Sequence, residues 1–155
     1  MSLTVNRVVA DPQAITEDKD GTMTLLSPCF VSIWYTQDGQ PQNALFRFDE
    51  GFKTDGGSVP KIFQRWLPSW KDDDPKYNAA FLIHDWLYCT KGAYDHFTRD
   101  EVDSIMRGIL RESGMNRFWA SSADFCVGLF AGGKNHWGDN SQDSRMKAEV
   151  RFNNL

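Results

Sequence analysis

Residues 79–88 read Ala79-Ala80-Phe81-Leu82-Ile83-His84-Asp85-Trp86-Leu87-Tyr88, an apolar run that is typical of a helix buried on at least one face. An adjacent histidine and aspartate lie in its middle, and a tyrosine follows one turn later. Burying an ionisable pair is costly unless the pair is hydrogen-bonded or coordinates an ion. The run therefore indicates a satisfied buried polar cluster, a catalytic dyad or a metal site.

The composition is that of a soluble globular chain. The 155 residues, 41% hydrophobic and 25% charged, predict a single domain with one core. A net charge of -4 argues against a nucleic-acid-binding surface. Cys29, Cys89 and Cys126 show no metal-ligand spacing, which predicts reduced thiols. We expect no signal peptide, because the N-terminus is polar and acidic, and no membrane span, because no apolar run reaches about 18 residues.

The pattern along the chain predicts an α+β fold, with a small N-terminal antiparallel sheet followed by a core of about three helices. Strand-forming residues at 30–35, an Asp-Gly turn at 38–39 and alternation over 43–48 indicate a hairpin. The predicted single domain has five parts: a loosely packed lead-in at 1–22, the sheet at 23–50, a Gly-rich loop at 51–60, the helical core at 61–131 and a polar tail at 132–155, which ends in a short segment at 148–152.

Capping signals place the helices. Asp74 and Pro75 predict the start of a first helix over about 76–89. Thr98, with Glu101 three residues later, forms a capping-box pattern at the start of a second helix, which Gly114 ends. A third helix is predicted from about Asn116 to Ala131.

Adjacent helical residues such as His84 and Asp85 diverge by about 100° and cannot orient each other. A dyad therefore needs a second carboxylate, and Asp103 on the second helix can supply it if the two helices form an antiparallel hairpin. A carboxylate on one imidazole nitrogen fixes the tautomer and leaves the other nitrogen to accept a proton from water. Asp85 is then free to point toward the loop at 54–58, where a carboxylate and backbone carbonyls offer the oxygen ligands that Ca²⁺ prefers.

Structural alternatives stay open for each residue. Asp103 has the i,i+4 spacing for a surface ion pair with Arg107. The Gly-rich loop suits a structural turn, and Tyr88 suits core packing. In that interpretation, His84 and Asp85 form a buried pair that fixes helix packing.

Three motifs in order resemble a family associated with phages and prophages, domain of unknown function 1353. They are the Phe52-Lys53-Thr54-Asp55-Gly56-Gly57-Ser58-Val59-Pro60 stretch, the 79–88 helix and the Arg99…Asp103 helix start. The resemblance spans roughly residues 25–130. It implies an association with phages and brings no established activity.

The His-Asp helix also resembles secreted phospholipase A2. That resemblance implies that His84 is the general base for water, that Asp103 orients it and that Tyr88 is a supporting hydrogen-bond donor. It further implies that Asp85 is a Ca²⁺ ligand, with Asp55, Gly56 and Gly57 standing in for the calcium loop. The chain departs from those enzymes in lacking their disulfide framework and in carrying an N-terminal sheet.

Three functional hypotheses follow. The first is a small phage-encoded hydrolase that uses the His-Asp dyad and Ca²⁺ to cleave an ester bond, with a lipid as substrate. The second is a virion or tail assembly protein in which the motifs are structural and the six Trp and eleven Phe serve self-association or contacts with other phage proteins. The third is an accessory protein that binds a host factor. The expected location is the host cytoplasm or the virion.

Overall fold

The computed structural model describes residues 2–19, 21–54, 68, 70–115, 120, 137 and 147–155. Within these residues, the chain has two antiparallel sheets and three helices, which confirms the α+β class. The strands are β1 Leu3–Ala10, β2 Ile15–Glu17, β3 Met23–Leu25, β4 Cys29–Gln37, β5 Gln40–Phe48, β6 Lys53–Thr54 and β7 Ala148–Asn154. The helices are α1 Pro75–Cys89, α2 Lys91–Asp95 and α3 Arg99–Glu112.

The main sheet has the strand order β1-β4-β5-β7. β4 and β5 form the predicted hairpin, in which Gln37 pairs with Gln40 across a two-residue turn. Asp38 and Gly39 have φ angles of 51° and 80°, as the right-handed twist of a tight hairpin requires. Alternate residues of β4 are buried, so one face of the sheet lies on the core.

A smaller sheet, ordered β2-β3-β6, supports the start of the Gly-rich loop. Met23 of β3 pairs with Thr54 of β6, and both residues are buried. The pairing fixes the backbone of Thr54 at the point where the chain enters the loop motif.

The expected lead-in at 1–22 contains two strands, so that prediction was wrong. β1 pairs along its length with β4, and its residues Val5 and Val8 are buried. The register shifts between Val5 and Arg7, which spaces the two buried valines three apart instead of two. Because a bulge breaks the two-residue period, the sequence pattern of a strand is hidden.

The polar tail predicted at 132–155 ends in β7, which is longer than the predicted segment. β7 pairs with β5 from Gln42↔Asn154 to Phe48↔Ala148 and forms an edge of the main sheet. Most of the tail before it lies outside the described residues, as does the predicted third helix apart from Ala120.

The predicted helix starts are confirmed. The Asp74 side chain accepts a hydrogen bond from the backbone N–H of Tyr77 at the start of α1. Both hydrogen bonds of the capping box between Thr98 and Glu101 are formed at the start of α3. These caps satisfy backbone donors that have no partner inside the helix, and thereby fix where each helix begins.

The connection between the two long helices was not predicted. All five residues of α2 have positive φ angles, between 51° and 68°. Gly92 is required there, since a Cβ at this position would collide with the carbonyl oxygen of Phe97. The turn brings the end of α1 beside the start of α3, which produces an antiparallel hairpin.

α1 is the central helix of the core. Eleven of its fifteen residues are buried, including His84. Trp86 packs edge-on against Phe46 of the main sheet, with the ring centroids 6.1 Å apart. Among the described helices, none is long and apolar enough to cross a membrane, in agreement with the sequence.

Gly108 lets α3 approach β1, and its replacement by Ala is expected to destabilise the protein by about 1–3 kcal/mol. A Cβ at position 108 would lie 2.7 Å from the Cβ of Val5, which is too close without movement of the strand. An unconstrained helical glycine would instead gain up to about 1 kcal/mol from the same change. Urea unfolding measures the sign, and a gain in stability would contradict the close approach.

Candidate active site

His84 and Asp103 meet between the two helices. His84 Nε2 lies 3.2 Å from Asp103 Oδ1, and the imidazole is 5% exposed. The contact joins the middle of α1 to the second turn of α3, as the antiparallel hairpin allows. The carboxylate that the sequence analysis predicted opposite His84 therefore lies within hydrogen-bond distance of the imidazole.

Tyr88 binds the same carboxylate oxygen. Its hydroxyl donates a hydrogen bond of 2.6 Å to Asp103 Oδ1. Its ring lies 4.2 Å from the His84 ring, as expected for residues one helical turn apart. His84 and Tyr88 thus contact the same acceptor atom, Asp103 Oδ1. The three residues are here called the His–Tyr–Asp cluster.

Arg99 extends this cluster, and sequence reasoning gave it no role beyond the motif. Its Nε donates to the Tyr88 hydroxyl at 3.2 Å, and its guanidinium carbon lies 5.8 Å from the Tyr88 ring centroid. The sequence does indicate that Arg99 lies near the cluster, because Arg99 and Asp103 are four residues apart and share one face of α3.

Trp137 was also missed. Its ring packs edge-on against Tyr88, with the centroids 5.1 Å apart. No local pattern indicates this contact, because the two residues are far apart in the sequence.

The surroundings keep Asp103 ionised and Tyr88 protonated. Burial by itself would raise the pKa of Asp103, but hydrogen bonds from His84 and Tyr88 and the charge of Arg99 lower it below its ordinary value. Burial raises the pKa of Tyr88 well above its ordinary value, and the hydrogen bond to Asp103 raises it further. At neutral pH, Asp103 is therefore an acceptor and Tyr88 a donor.

The ionised carboxylate determines which nitrogen of His84 carries the proton. Asp103 can only accept hydrogen bonds, so a neutral His84 must present Nε2–H to it. In that tautomer Nδ1 carries no proton and has a lone pair that can accept one.

Asp85 points to the other side of α1. Its Oδ2 accepts a hydrogen bond of 2.6 Å from Thr54 Oγ1, at the end of β6. The structure thus places Asp85 against the first residue of the predicted 54–58 loop. Asp55, Gly56 and Gly57, the other predicted metal ligands, lie outside the described residues.

The donor chemistry around Asp85 fits a hard cation. A carboxylate and a hydroxyl are oxygen ligands of the kind that Ca²⁺ takes, and Ca²⁺ needs six to eight of them. In the described part of the chain, no group of three His, Cys, Asp or Glu residues could hold a metal ion. Asp85 is thus the one predicted ligand whose surroundings are described, and the loop would have to supply the others.

The lowered pKa of Asp103 makes a prediction about stability. A depressed carboxyl pKa contributes stability above the unfolded-state pKa, about 4, and this contribution disappears as the pH falls through the folded-state pKa. The difference in unfolding free energy between wild type and Asp103→Asn should therefore shrink between pH 7 and pH 3. Urea unfolding at both pH values measures it, and a constant difference would contradict an ionised, stabilising Asp103.

These observations define the class of the protein: it is an α+β chain in which a His–Tyr–Asp cluster lies between two antiparallel helices. Residues 32–126, more than half of the chain, match the family described as protein of unknown function (DUF1353), and the chain belongs to that family. The matched segment contains α1, α3 and the whole His–Tyr–Asp cluster. Comparison of the chain with curated proteins and with solved structures gave no significant match.

Proposed function

We propose that the protein is a small hydrolase in which His84 is the general base that activates water for attack on an ester bond, with a lipid ester as substrate. One observation carries the proposal: Asp103 Oδ1 contacts His84 Nε2 and accepts the Tyr88 hydroxyl, which leaves Nδ1 as the basic nitrogen. A buried imidazole with one nitrogen held by a carboxylate is the arrangement that general-base catalysis uses.

The proton transfers balance around His84. Nδ1 takes a proton from water while the water oxygen forms a bond to the ester carbonyl carbon. Asp103 stabilises the resulting imidazolium through the Nε2–H hydrogen bond. When the tetrahedral intermediate collapses, the C–O bond to the alcohol breaks, and Nδ1–H returns the proton to the leaving oxygen.

Asp85, with Asp55 and the backbone of Gly56 and Gly57, would hold Ca²⁺. The chemistry that Ca²⁺ supplies when bound is stabilisation of negative charge on an oxygen. This part of the proposal is supported by the position of Asp85 beside Thr54 at the entrance to the loop.

The hydrolase proposal is tested with chromogenic fatty-acid esters of several chain lengths and with phospholipid vesicles. Wild-type protein is expected to release acid from at least one of them, and the His84→Gln variant serves as the blank. Equal rates in the two proteins, or no hydrolysis of any ester, would count against the proposal.

Millimolar Ca²⁺ is expected to raise the melting temperature of the EDTA-treated protein. A ligand that binds only the folded state adds about 2.7 kcal/mol at a hundredfold excess over its dissociation constant. Asp85→Asn should abolish the rise, while Asp95→Asn, which changes an exposed aspartate of α2, should keep it. Mg²⁺ and Zn²⁺ are the metal controls. The same rise in Asp85→Asn would remove Asp85 from the metal site.

The alternative is a virion or assembly protein, and one feature of the main sheet favours it. Val9 and Phe30 are 44% and 43% exposed and lie on the outer face of β1 and β4. An apolar patch on an exposed sheet face is a surface of the kind that subunit contacts bury. Sedimentation of wild type and Phe30→Ser would reveal self-association through this face.

The third hypothesis, an accessory protein that binds a host factor, stays a prediction.

A further inference from the structure

Arg99 is the part of the site that the proposed mechanism does not use. It occupies the first position of α3, where the positive end of the helix dipole disfavours a cation. Among the described residues, no carboxylate lies within 4 Å of its guanidinium, so no ion pair in this part of the chain accounts for its position. Its directed contact is the hydrogen bond from Nε to the Tyr88 hydroxyl.

We propose that Arg99 is a positioning residue that fixes the direction of the hydrogen bonds reaching His84. A guanidinium can only donate, so Arg99 Nε–H occupies a lone pair of the Tyr88 oxygen. The single hydroxyl proton of Tyr88 is then directed at Asp103 Oδ1, 2.6 Å away. The order of donation is therefore Arg99 to Tyr88 and Tyr88 to Asp103.

This direction matters because Asp103 must remain an acceptor for His84. The Arg99 donor at the Tyr88 oxygen polarises the hydroxyl and strengthens the hydrogen bond from Tyr88 to the Asp103 carboxylate. The positive charge of Arg99 stabilises the same carboxylate. Arg99 thus stabilises the ionised carboxylate that holds the Nε2–H of His84, without touching the imidazole. Its role in turnover rests on the proposed function, whereas the hydrogen-bond chain does not.

The chain of hydrogen bonds is tested by NMR, without any substrate. The variants are Arg99→Gln, which removes the charge, and Arg99→Lys, which keeps a cationic donor. Arg111→Gln makes the same change at an exposed site near the other end of α3. The readouts are exchange of the Tyr88 hydroxyl proton with water and the imidazole nitrogen shifts of His84, at an alkaline pH where histidines are neutral.

In wild type, we expect a protected Tyr88 hydroxyl and a predominant Nε2–H tautomer of His84. Arg99→Gln should speed hydroxyl exchange about tenfold, close to the equivalent of one charge-assisted hydrogen bond, while the Nε2–H tautomer is kept because the ionised Asp103 still needs a donor. Arg99→Lys should restore most of the protection, and Arg111→Gln should match wild type. Unchanged hydroxyl exchange in Arg99→Gln would overturn the proposal.

Kinetics separate this inference from the proposed function. Arg99→Gln should lower kcat about tenfold, which corresponds to about 1.4 kcal/mol, with KM nearly unchanged because Arg99 acts through Tyr88 and Asp103. A large rise in KM with kcat unchanged would mean that Arg99 binds substrate, and would overturn the positioning role. If the NMR changes occur in a protein that hydrolyses none of the esters, the positioning role stands and the hydrolase proposal fails.

Discussion

Replacing His84 with Gln is expected to lower kcat about 10²- to 10⁴-fold, the range that general-base catalysis contributes. Glutamine can still present an amide N–H to Asp103 Oδ1, but it has no nitrogen that accepts a proton at neutral pH. The variant should therefore fold while losing hydrolysis. Ester hydrolysis and a thermal melt, on the same preparation, measure the two effects.

The structural interpretation of His84 makes a different prediction. If the imidazole only satisfies a buried carboxylate, His84→Gln should keep both stability and activity, because its amide N–H replaces the lost hydrogen bond, whereas His84→Ala should cost about 1–3 kcal/mol of stability. The control is His96→Gln, the same substitution at an exposed histidine that stacks on Phe152, away from the His–Tyr–Asp cluster. Loss of activity in both variants would indicate a general effect on the fold and would count against His84 as the base.

The helical hairpin could be predicted from sequence because its signals are local. Asp74, Thr98 and Glu101 mark the helix starts within a few residues of the atoms they cap. Once both helices are placed, the antiparallel arrangement brings Asp103 to His84. The pairing of His84 with Asp103 thus followed from spacing and from the cost of burying an ionisable pair, whereas the role of Tyr88 as a donor was implied only by the resemblance to phospholipase A2.

The missed features depend on contacts that no short segment contains. β1 escaped prediction because the bulge between Val5 and Arg7 breaks its alternation, and its core position depends on pairing with β4. The pairing of β7 has no local signal, because its partner strand β5 lies about 100–112 residues earlier in the chain. The packing of Trp137 on Tyr88 is equally distant in sequence. The left-handed turn of α2 is local, but four of its five residues are not glycine, so nothing in its composition indicates positive φ.

Asp103→Asn is expected to reduce kcat about 10- to 100-fold, the equivalent of one hydrogen bond to a charged group, although the side chain keeps its shape. His84 Nε2 and the Tyr88 hydroxyl contact the same atom, Oδ1, so the amide oxygen of the asparagine can accept from both and the Nε2–H tautomer is kept. The neutral amide, however, lacks the negative charge that stabilises the imidazolium formed when Nδ1 takes a proton from water. The loss of kcat therefore measures the contribution of the Asp103 charge.

Imidazole nitrogen shifts of His84 check the cause directly, because the Nε2–H tautomer should be kept in Asp103→Asn while kcat falls. Asp100→Asn is the matched control, since Asp100 is exposed on the same helix turn. Full activity in Asp103→Asn would show that the charge of Asp103 does not matter and would remove Asp103 from the mechanism.

The double variant His84→Gln with Asp103→Asn decides whether the two residues act as one unit. If Asp103 acts only by holding His84, then its replacement has no further effect on kcat once the imidazole is gone, and the double variant should be no slower than His84→Gln alone. Losses that multiply would instead mean that Asp103 contributes independently, for example by binding substrate. Because both residues contact each other in the folded protein, the thermal melts of all three variants should show coupling in stability whichever result the kinetics give.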